Sequence, residues 1–208
     1  MGFIAIVDYK AGNLASVRTA VEHLGFEPVV TDDPARVREA ERVIFPGVGR
    51  AGAAMAELRR LGLDAALVEG VYKRGVPMLG ICIGIQIVFE RSAEDDAECL
   101  GILPGSVERF PPSVGKVPQI GWNQVDFALP HPIFRGVESG SDFYFVNSYH
   151  PVPADEGLIA ATTEYGGHRF ASVVAKGNLV ATQFHLEKSG PVGLKMLANF
   201  LEWDGEWR

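Results

Sequence analysis

The chain has 208 residues, a length sufficient for one domain with a sizeable core, and 47% of them are hydrophobic and 22% charged. Its formal net charge is −7 and it has no basic block, which argues against nucleic acid as a partner. No apolar run approaches the ~18 residues of a membrane span, and residues 1–8 lack the basic start of a signal peptide. The two cysteines, Cys82 and Cys99, do not form a disulfide framework, so a reduced, cytoplasmic setting is expected.

In the first part of the chain, short apolar runs alternate with segments whose apolar residues recur at helical spacing. Strands are predicted over residues 3–8, 27–31, 42–45 and 76–81. Helices are predicted over residues 14–24, from residue 33, over 55–72 with a break at 62, and over 83–90. Asn13 is expected to cap the first of these helices. This β-α-β-α order is typical of a parallel sheet with helices on both faces.

The second half has a different character. Residues 92–99 are polar and acidic, and a loop is expected there. Short strands separated by Pro and Gly turns are predicted over residues 117–126, 143–146, 158–162, 170–175 and 179–184, before a last helix over about 192–203. With no repeat or linker, we predict a single domain over residues 1–208. Its expected fold class is α/β, with an open, mostly parallel central sheet flanked by helices and antiparallel strands added in the second half.

The most informative residue is Cys82, which lies between Gly80 and Gly84 where a predicted strand passes into a predicted helix. A G-x-C-x-G run at such a junction forms a sharp turn that presents the thiol, as in the nucleophile elbow of hydrolases. A free cysteine is more often a small buried hydrophobe, but the flanking glycines favour a nucleophile here. The helix N-terminus also favours a thiolate. Cys99, in the acidic segment, has none of these features.

His185 and Glu187 follow a predicted strand about a hundred residues later. Side chains two residues apart in an extended segment point to the same side, so the imidazole and the carboxylate can act together. His185 would take the thiol proton and return it to a departing amine, while Glu187 would orient the ring. A single histidine after a strand is more often structural, so this pair gains its weight from Cys82.

The loop at residues 46–49, Pro-Gly-Val-Gly, is expected at the same rim of the sheet as Cys82, because both follow parallel strands. An oxyanion hole needs convergent N–H donors, and we expect one from Ile83 and a second from Val48 or Gly49. Taken alone, the loop is equally consistent with an ordinary strand-to-helix turn. No metal-ligand spacing and no phosphate-binding glycine loop occurs, so neither a metal nor a cofactor is expected.

Two segments resemble the class I (triad) glutamine amidotransferases: residues 77–86 resemble their nucleophile segment, and residues 183–190 their His/Glu segment. Within that family, several motifs resemble one branch, the glutaminase subunit of imidazole glycerol phosphate synthase. These motifs are residues 7–9 with 12–14, 46–49, 121–123 and 144–149. Together the motifs span nearly the whole chain.

The resemblance implies a flavodoxin-like fold and attack of Cys82 on the side-chain amide of glutamine, giving a γ-glutamyl thioester and ammonia, and then glutamate. Ammonia would pass to a separate (β/α)₈-barrel cyclase subunit in a heterodimer, which would make imidazole glycerol phosphate and aminoimidazole carboxamide ribotide for histidine biosynthesis. Matching positions imply glutamine binding by Gly49, Gln86, Ser148, Tyr149 and His150. They also place Asn13 and Trp122 near the partner interface.

The chain departs from the family pattern at a few positions. Leu186 stands where the family commonly has proline, which could loosen the geometry of His185 and Glu187. Lys10 stands where glycine is common and could alter the rim that faces the partner. Isoleucines at 83 and 85 replace the usual leucine and methionine and keep the chemistry.

Three other functions remain open at this point. The chain could be the amidotransferase subunit of anthranilate, aminodeoxychorismate or pyridoxal phosphate synthesis. It could be a cysteine peptidase or γ-glutamyl hydrolase that acts alone. It could also be a non-enzymatic binding module with a dead site. The Pro-Gly-Val-Gly and Gly-Trp-Asn segments argue against the first, and the intact set of Cys, His and Glu argues against the last.

Overall fold

The computed structural model describes residues 2–10 and 14–207, so the predicted interface residue Asn13 lies outside the described residues. The strands are β1 Ile4–Val7, β2 Pro28–Thr31, β3 Arg42–Phe45, β4 Met78–Ile81, β5 Arg91–Ser92, β6 Ala97–Glu98, β7 Gly105–Arg109, β8 Gln119–Phe127, β9 Ser141–Asn147, β10 Tyr149–Pro153, β11 Ile159–Tyr165, β12 His168–Lys176 and β13 Leu179–Thr182. The helices are α1 Leu14–His23, α2 Pro34–Glu39, α3 Ala51–Leu61, α4 Leu63–Tyr72, α5 Ile83–Ile87 and α6 Gly190–Glu202.

A nine-stranded sheet in the order β2-β1-β3-β4-β13-β12-β11-β8-β9 forms the centre of the fold. Strands from β2 to β13 in that order pair in parallel, and those from β13 to β9 pair antiparallel. The predicted fold class is therefore confirmed, including the antiparallel strands contributed by the second half of the chain.

The inner parallel strands β1, β3, β4 and β13 are buried on both faces, because helices cover each side of the sheet. Val43 and Phe45 of β3 join one hydrophobic cluster, which also contains Leu58 of α3. Ile44, between them, joins the other cluster together with Phe200 of α6. Successive side chains of a strand point to opposite faces, so continuous apolar runs are what a doubly covered sheet requires.

Two local signals predicted in the first half are present in the structure. Gly62 separates α3 from α4 and has a φ of +71°, a conformation that glycine adopts without the steric cost that a Cβ atom brings. Asp33 caps α2, since its carboxylate accepts a hydrogen bond of 2.8 Å from the N–H of Ala35. Lys10 also has a positive φ, of 65°, and its ammonium lies 2.7 Å from a carboxylate oxygen of Asp32.

The prediction of a loop over residues 92–99 is wrong at both ends, where β5 and β6 pair through Arg91 with Glu98 and Ser92 with Ala97. These strands belong to a second sheet, ordered β10-β7-β5-β6. Two-residue strands are too short to show a period of two, so pattern could not reveal them. The last predicted strand ends two residues early, at Thr182, and a bend at residues 183 and 184 leads to His185.

Space around the glycines of the elbow yields a first prediction. A Cβ atom on Gly84 would lie 2.5 Å from the backbone oxygen of Phe45, which cannot move without shifting β3. We expect Gly84→Ala to lower the free energy of unfolding by about 1–3 kcal/mol, measured by urea denaturation. Gly70→Ala is the matched control, because Gly70 is buried in α4 with no atom within 4 Å of its added Cβ. It should be neutral or stabilising by up to about 1 kcal/mol; equal losses in both variants would contradict the prediction.

Candidate active site

Cys82 occupies a strained turn between β4 and α5. Its φ of 57° and ψ of −99° are unusual for a residue with a side chain, and such conformations concentrate at functional sites. The Cys82 N–H donates a 2.8 Å hydrogen bond to the carbonyl oxygen of Thr182, which extends the pairing of β4 with β13 into the turn. A Cβ atom on Gly80 would lie 2.8 Å from the carbonyl group of Gly84. The glycines are thus required by the close approach of the helix start to the strand.

His185 and Glu187 form a buried pair, with both side chains 3% exposed. Nδ1 of His185 lies 2.7 Å from Oε1 of Glu187. An ionised carboxylate can only accept, so Nδ1 carries a hydrogen and Nε2 is left for other chemistry. Nε2 is buried. No atom of the described residues, including the Cys82 sulfur, makes a hydrogen bond of ordinary geometry with it.

The electrostatics of His185 nevertheless couple it to Cys82. Burial lowers the pKa of the imidazole, but the proximity of the Cys82 sulfur and of Glu187, together with their negative charges, outweighs burial and raises the pKa to about 9. The charged form of His185 is therefore favoured beside Glu187 and the Cys82 sulfur, which is about a hundred residues away in sequence.

Ser189, which the sequence analysis did not single out, holds the histidine segment in place. Its buried hydroxyl donates to the carbonyl oxygen of His185 at 2.6 Å and accepts from the N–H of Tyr144 at 3.0 Å. The N–H of His185 donates in turn to the carbonyl oxygen of Tyr144 at 3.0 Å. Leu186, the departure from proline, is fully buried in the core, and the His185–Glu187 bond is intact beside it.

The loop at residues 46–49 does not offer convergent donors in this structure. The Ile83 N–H donates, at 3.5 Å, to the carbonyl oxygen of Gly47. The Gly47–Val48 peptide is trans, so the Val48 N–H points away from Ile83. The hydroxyl of Tyr9 donates to the carbonyl oxygen of Val48 at 3.2 Å, and burial, followed by the negative charge of Cys82, raises the pKa of Tyr9. Of the predicted oxyanion donors, the N–H groups of Ile83 and Val48 are therefore turned apart.

A cavity of about 260 Å³ opens above Cys82. Its lining includes predicted site residues: Val48, Gly49, Cys82, Ile83, Gln86, Ser148 and Tyr149. Four further residues complete the lining: Val146 and Asn147, from the motif at residues 144–149, and Glu94 and Pro118, which no motif marks. A larger surface cavity, of about 510 Å³, opens beside Cys99 and Tyr72 and is lined by none of the predicted site residues.

Four predicted residues of the described part of the chain do not line this cavity: His185 and Glu187, whose geometry is given above, and His150 and Trp122. The His150 side chain is buried, with Nδ1 bonded to the carbonyl oxygen of Pro151 at 3.1 Å and Nε2 facing Nε2 of His168 at 3.2 Å. Burial lowers the pKa of His150, which keeps its ring neutral. Trp122 is 57% exposed on β8, and its ring makes an edge contact with that of Tyr144.

Cys99 is a second free thiol with a different environment. It is buried, and its weak hydrogen bond goes to the carbonyl oxygen of Ala97 at 3.6 Å. Burial raises its pKa to about 11, so it remains protonated at neutral pH. This environment agrees with the expectation that Cys99 takes no part in the chemistry.

The family profile of glutamine amidotransferase class-I matches residues 5–203. The chain belongs to the class-I glutamine amidotransferase family. Among its curated relatives in this family, "Imidazole glycerol phosphate synthase subunit HisH" of Dehalococcoides mccartyi is 51% identical over 200 residues, which cover 96% of each chain. The protein of the same name from Moorella thermoacetica is 50% identical over 200 residues, covering 96% of this chain and 94% of the relative.

Solved structures agree with this family at the level of the fold. A crystal structure of a glutamine amidotransferase superposes with a TM-score of 0.76 at 19% identity, covering 97% of this chain and 98% of the other. A structure of PurLQS from Thermotoga maritima gives a TM-score of 0.75 at 22% identity, covering 97% and 99%.

Across residues 2–10 and 14–207, no cluster of three or more His, Cys, Asp or Glu side chains is arranged to hold a metal ion. None of the helices in the same part of the chain combines the length and the apolarity needed to cross a bilayer.

The His185–Glu187 pair predicts a pH dependence of stability. The ordinary pKa of histidine is 6.5, and here it is about 9, so between these values the folded chain binds more protons than the unfolded chain. This stabilisation is fully present below pH 6.5 and is lost as pH rises through about 9. In Glu187→Gln the carboxylate's contribution disappears, and we expect the free energy of unfolding to fall less steeply over that interval. Urea denaturation at several pH values measures both slopes, with Glu164→Gln, at an exposed carboxylate, as the control; identical slopes in Glu187→Gln and the unmodified chain would contradict the assignment.

Proposed function

We propose that this chain is the glutaminase subunit of an imidazole glycerol phosphate synthase and that Cys82, His185 and Glu187 are its triad. One observation carries the proposal: a thiol on a strained elbow, electrostatically coupled to a buried imidazole–carboxylate pair, opens onto a cavity of about 260 Å³. Relatives of that name, about half identical over nearly the full length, support the choice of branch.

Each step of the chemistry uses atoms of these three side chains. His185 Nε2 takes the thiol proton, and the Cys82 sulfur attacks the side-chain amide carbon of glutamine, forming the C–S bond. The amide C–N bond then breaks, and His185 protonates the departing nitrogen, which leaves as ammonia. Water, deprotonated by His185, then attacks the thioester carbon. The C–S bond breaks, glutamate leaves, and His185 returns the proton to the Cys82 sulfur. Glu187 keeps Nδ1 protonated and stabilises the imidazolium at both stages.

The oxyanion hole requires one change from the present structure. If the Gly47–Val48 peptide turns over, the Gly47 oxygen leaves the Ile83 N–H and the Val48 N–H turns toward it. Two donors then face the oxygen of the tetrahedral intermediate, beside Gly49. Loss of one donor typically lowers kcat by roughly 10²–10³. With the loop in its present conformation, the subunit would therefore hydrolyse glutamine slowly on its own. This supports partner control and disfavours a hydrolase that acts alone.

We propose that the partner is a (β/α)₈-barrel cyclase that receives the ammonia in a heterodimer. Trp122 and Ile120 support this, since they are two residues apart on β8 and are 57% and 58% exposed. Two large apolar side chains on one strand face form a surface suited to burial against another protein. Gly49, Gln86 and the backbone of residues 148–150 are proposed to hold glutamine.

Two coarser features complete the proposal. The nine-stranded sheet draws strands from both halves of the chain, which supports one domain over residues 1–208. The two free thiols support a reducing, cytoplasmic setting.

The role of the nucleophile can be separated from a folding role. In the complex with the cyclase, Cys82→Ala should reduce glutamine-dependent synthesis by at least about 10³-fold, while ammonia-dependent synthesis stays near the unmodified level. Cys99→Ala, at the buried second thiol, is the control and should affect neither. Equal loss of both activities in Cys82→Ala would mean that Cys82 is a structural residue.

Partner control predicts a difference in glutaminase rate. Glutamate release by the isolated chain should be at least about 100-fold slower than release in the complex supplied with the cyclase substrate, because the oxyanion donors are turned apart without the partner. The measurement is steady-state glutamate production at saturating glutamine. A full rate from the isolated chain, with no gain on adding the cyclase, would refute this part of the proposal.

A further inference from the structure

We propose that Gln183 is a positioning residue for the nucleophile: its side-chain amide donates a hydrogen bond to the Cys82 sulfur, and Gln86 acts by holding that amide in place. This inference rests on the proposed function, because it matters only if Cys82 reacts as a thiolate. It assigns to Gln183 a role in the reaction itself, beyond the three residues that carry out proton transfer and attack.

The sheet places Gln183 directly beside the nucleophile. Gln183 follows the last residue of β13, Thr182, whose carbonyl oxygen accepts the 2.8 Å hydrogen bond from the Cys82 N–H. The Gln183 side chain is fully buried, and its Nε2 lies 3.9 Å from the Cys82 sulfur. Burying an amide N–H without a hydrogen-bond partner costs free energy, and the Cys82 sulfur is the side-chain atom that can accept from this Nε2.

The hydrogen-bond network fixes which end of the amide faces the sulfur. A carbonyl oxygen can only accept, so the Gln86 atom 3.3 Å from the Tyr149 oxygen must be its NH₂ group. That same NH₂ group lies 3.2 Å from Gln183, so the Gln183 atom there must be the acceptor Oε1. The Gln183 NH₂ group is therefore the end that faces Cys82. Asn147 anchors the network by donating to the same Tyr149 oxygen at 2.9 Å.

The amide distinguishes the two protonation states of the thiol. A neutral S–H can donate to the carbonyl oxygen of Val146, which lies 4.0 Å from the sulfur. A thiolate loses that bond but accepts from Gln183, so the amide favours the ionised nucleophile without supplying or removing a proton. The Gln86 NH₂ group already serves both Tyr149 and Gln183. Gln86 thus contributes to the site through Gln183, and only its oxygen remains to accept from a substrate.

The test measures how alkylation of Cys82 depends on pH. Full-length chains carrying Cys99→Ala are treated with iodoacetamide from pH 5 to 10, and the modified peptide is quantified by mass spectrometry. Gln183→Met keeps the length of the side chain and removes its donors. We expect the pH midpoint of alkylation to rise by about one unit, the size expected for one lost hydrogen bond to a charged group. In the complex, kcat for glutamine should fall about tenfold, with KM changed less than twofold.

Two further variants make the result decisive. Gln86→Met should raise the midpoint by a smaller amount, because the Gln183 amide loses its restraint. Asn199→Met is the matched control: Asn199 is a buried amide that donates to the backbone oxygens of Ile133 and Arg135, and its midpoint should equal that of the parent. An unchanged midpoint in Gln183→Met, or an equal rise in Asn199→Met, would overturn the inference. If Gln183→Met does not fold, Gln86→Met decides, and an unchanged midpoint there has the same consequence.

Failure of the inference and failure of the proposed function give different results. If Cys82→Ala loses glutamine-dependent synthesis while Gln183→Met keeps the parent midpoint, only the role of Gln183 is overturned. If Cys82→Ala retains glutamine-dependent synthesis, the proposed function fails, whatever the alkylation midpoints are.

Discussion

The parallel pairing of β4 with β13 is the constraint on which the site depends. Its register sets Ile81 opposite Thr182, and the next N–H along, that of Cys82, continues the ladder. Two residues about a hundred positions apart in the chain therefore leave the sheet side by side. From Cys82 the chain continues into α5, and from Gln183 it continues to His185. A shift of one residue would reverse the faces of the strand and separate the sulfur from its neighbours.

In the proposed function, the site also separates two requirements of acyl transfer. The imidazole of His185 is already biased toward its charged form by buried neighbours, so proton transfer is prepared in the folded chain. The oxyanion hole is not formed, because the N–H of Ile83 donates its hydrogen bond to a carbonyl oxygen of the loop at residues 46–49. The orientation of the Gly47–Val48 peptide can thus govern the glutaminase rate while Cys82 stays in place. Until that peptide turns over, the reaction of Cys82 with other amides is limited.

Much of the fold and the residues of the proposed triad could be predicted from sequence because their signals are local. Gly80 and Gly84 mark the elbow through a requirement for space. His185 and Glu187 are paired as predicted, but residues 186–188 form a 3₁₀ turn and not the extended segment that the prediction assumed. Ser189 and Gln183 could not be predicted from residue type, since their partners come from other strands. The two-residue strands β5 and β6 lack a detectable period, and no residue type dictates which way the Gly47–Val48 peptide faces.

The contrast between the two thiols has a practical consequence for anyone who handles this protein. Cys99 is sealed in a desolvated position where it stays a neutral S–H, with its pKa near 11. A mild electrophile at neutral pH should therefore consume one equivalent per intact chain, at the elbow alone. Such a count would report the fraction of correctly folded subunits in a preparation, with no substrate and no partner present.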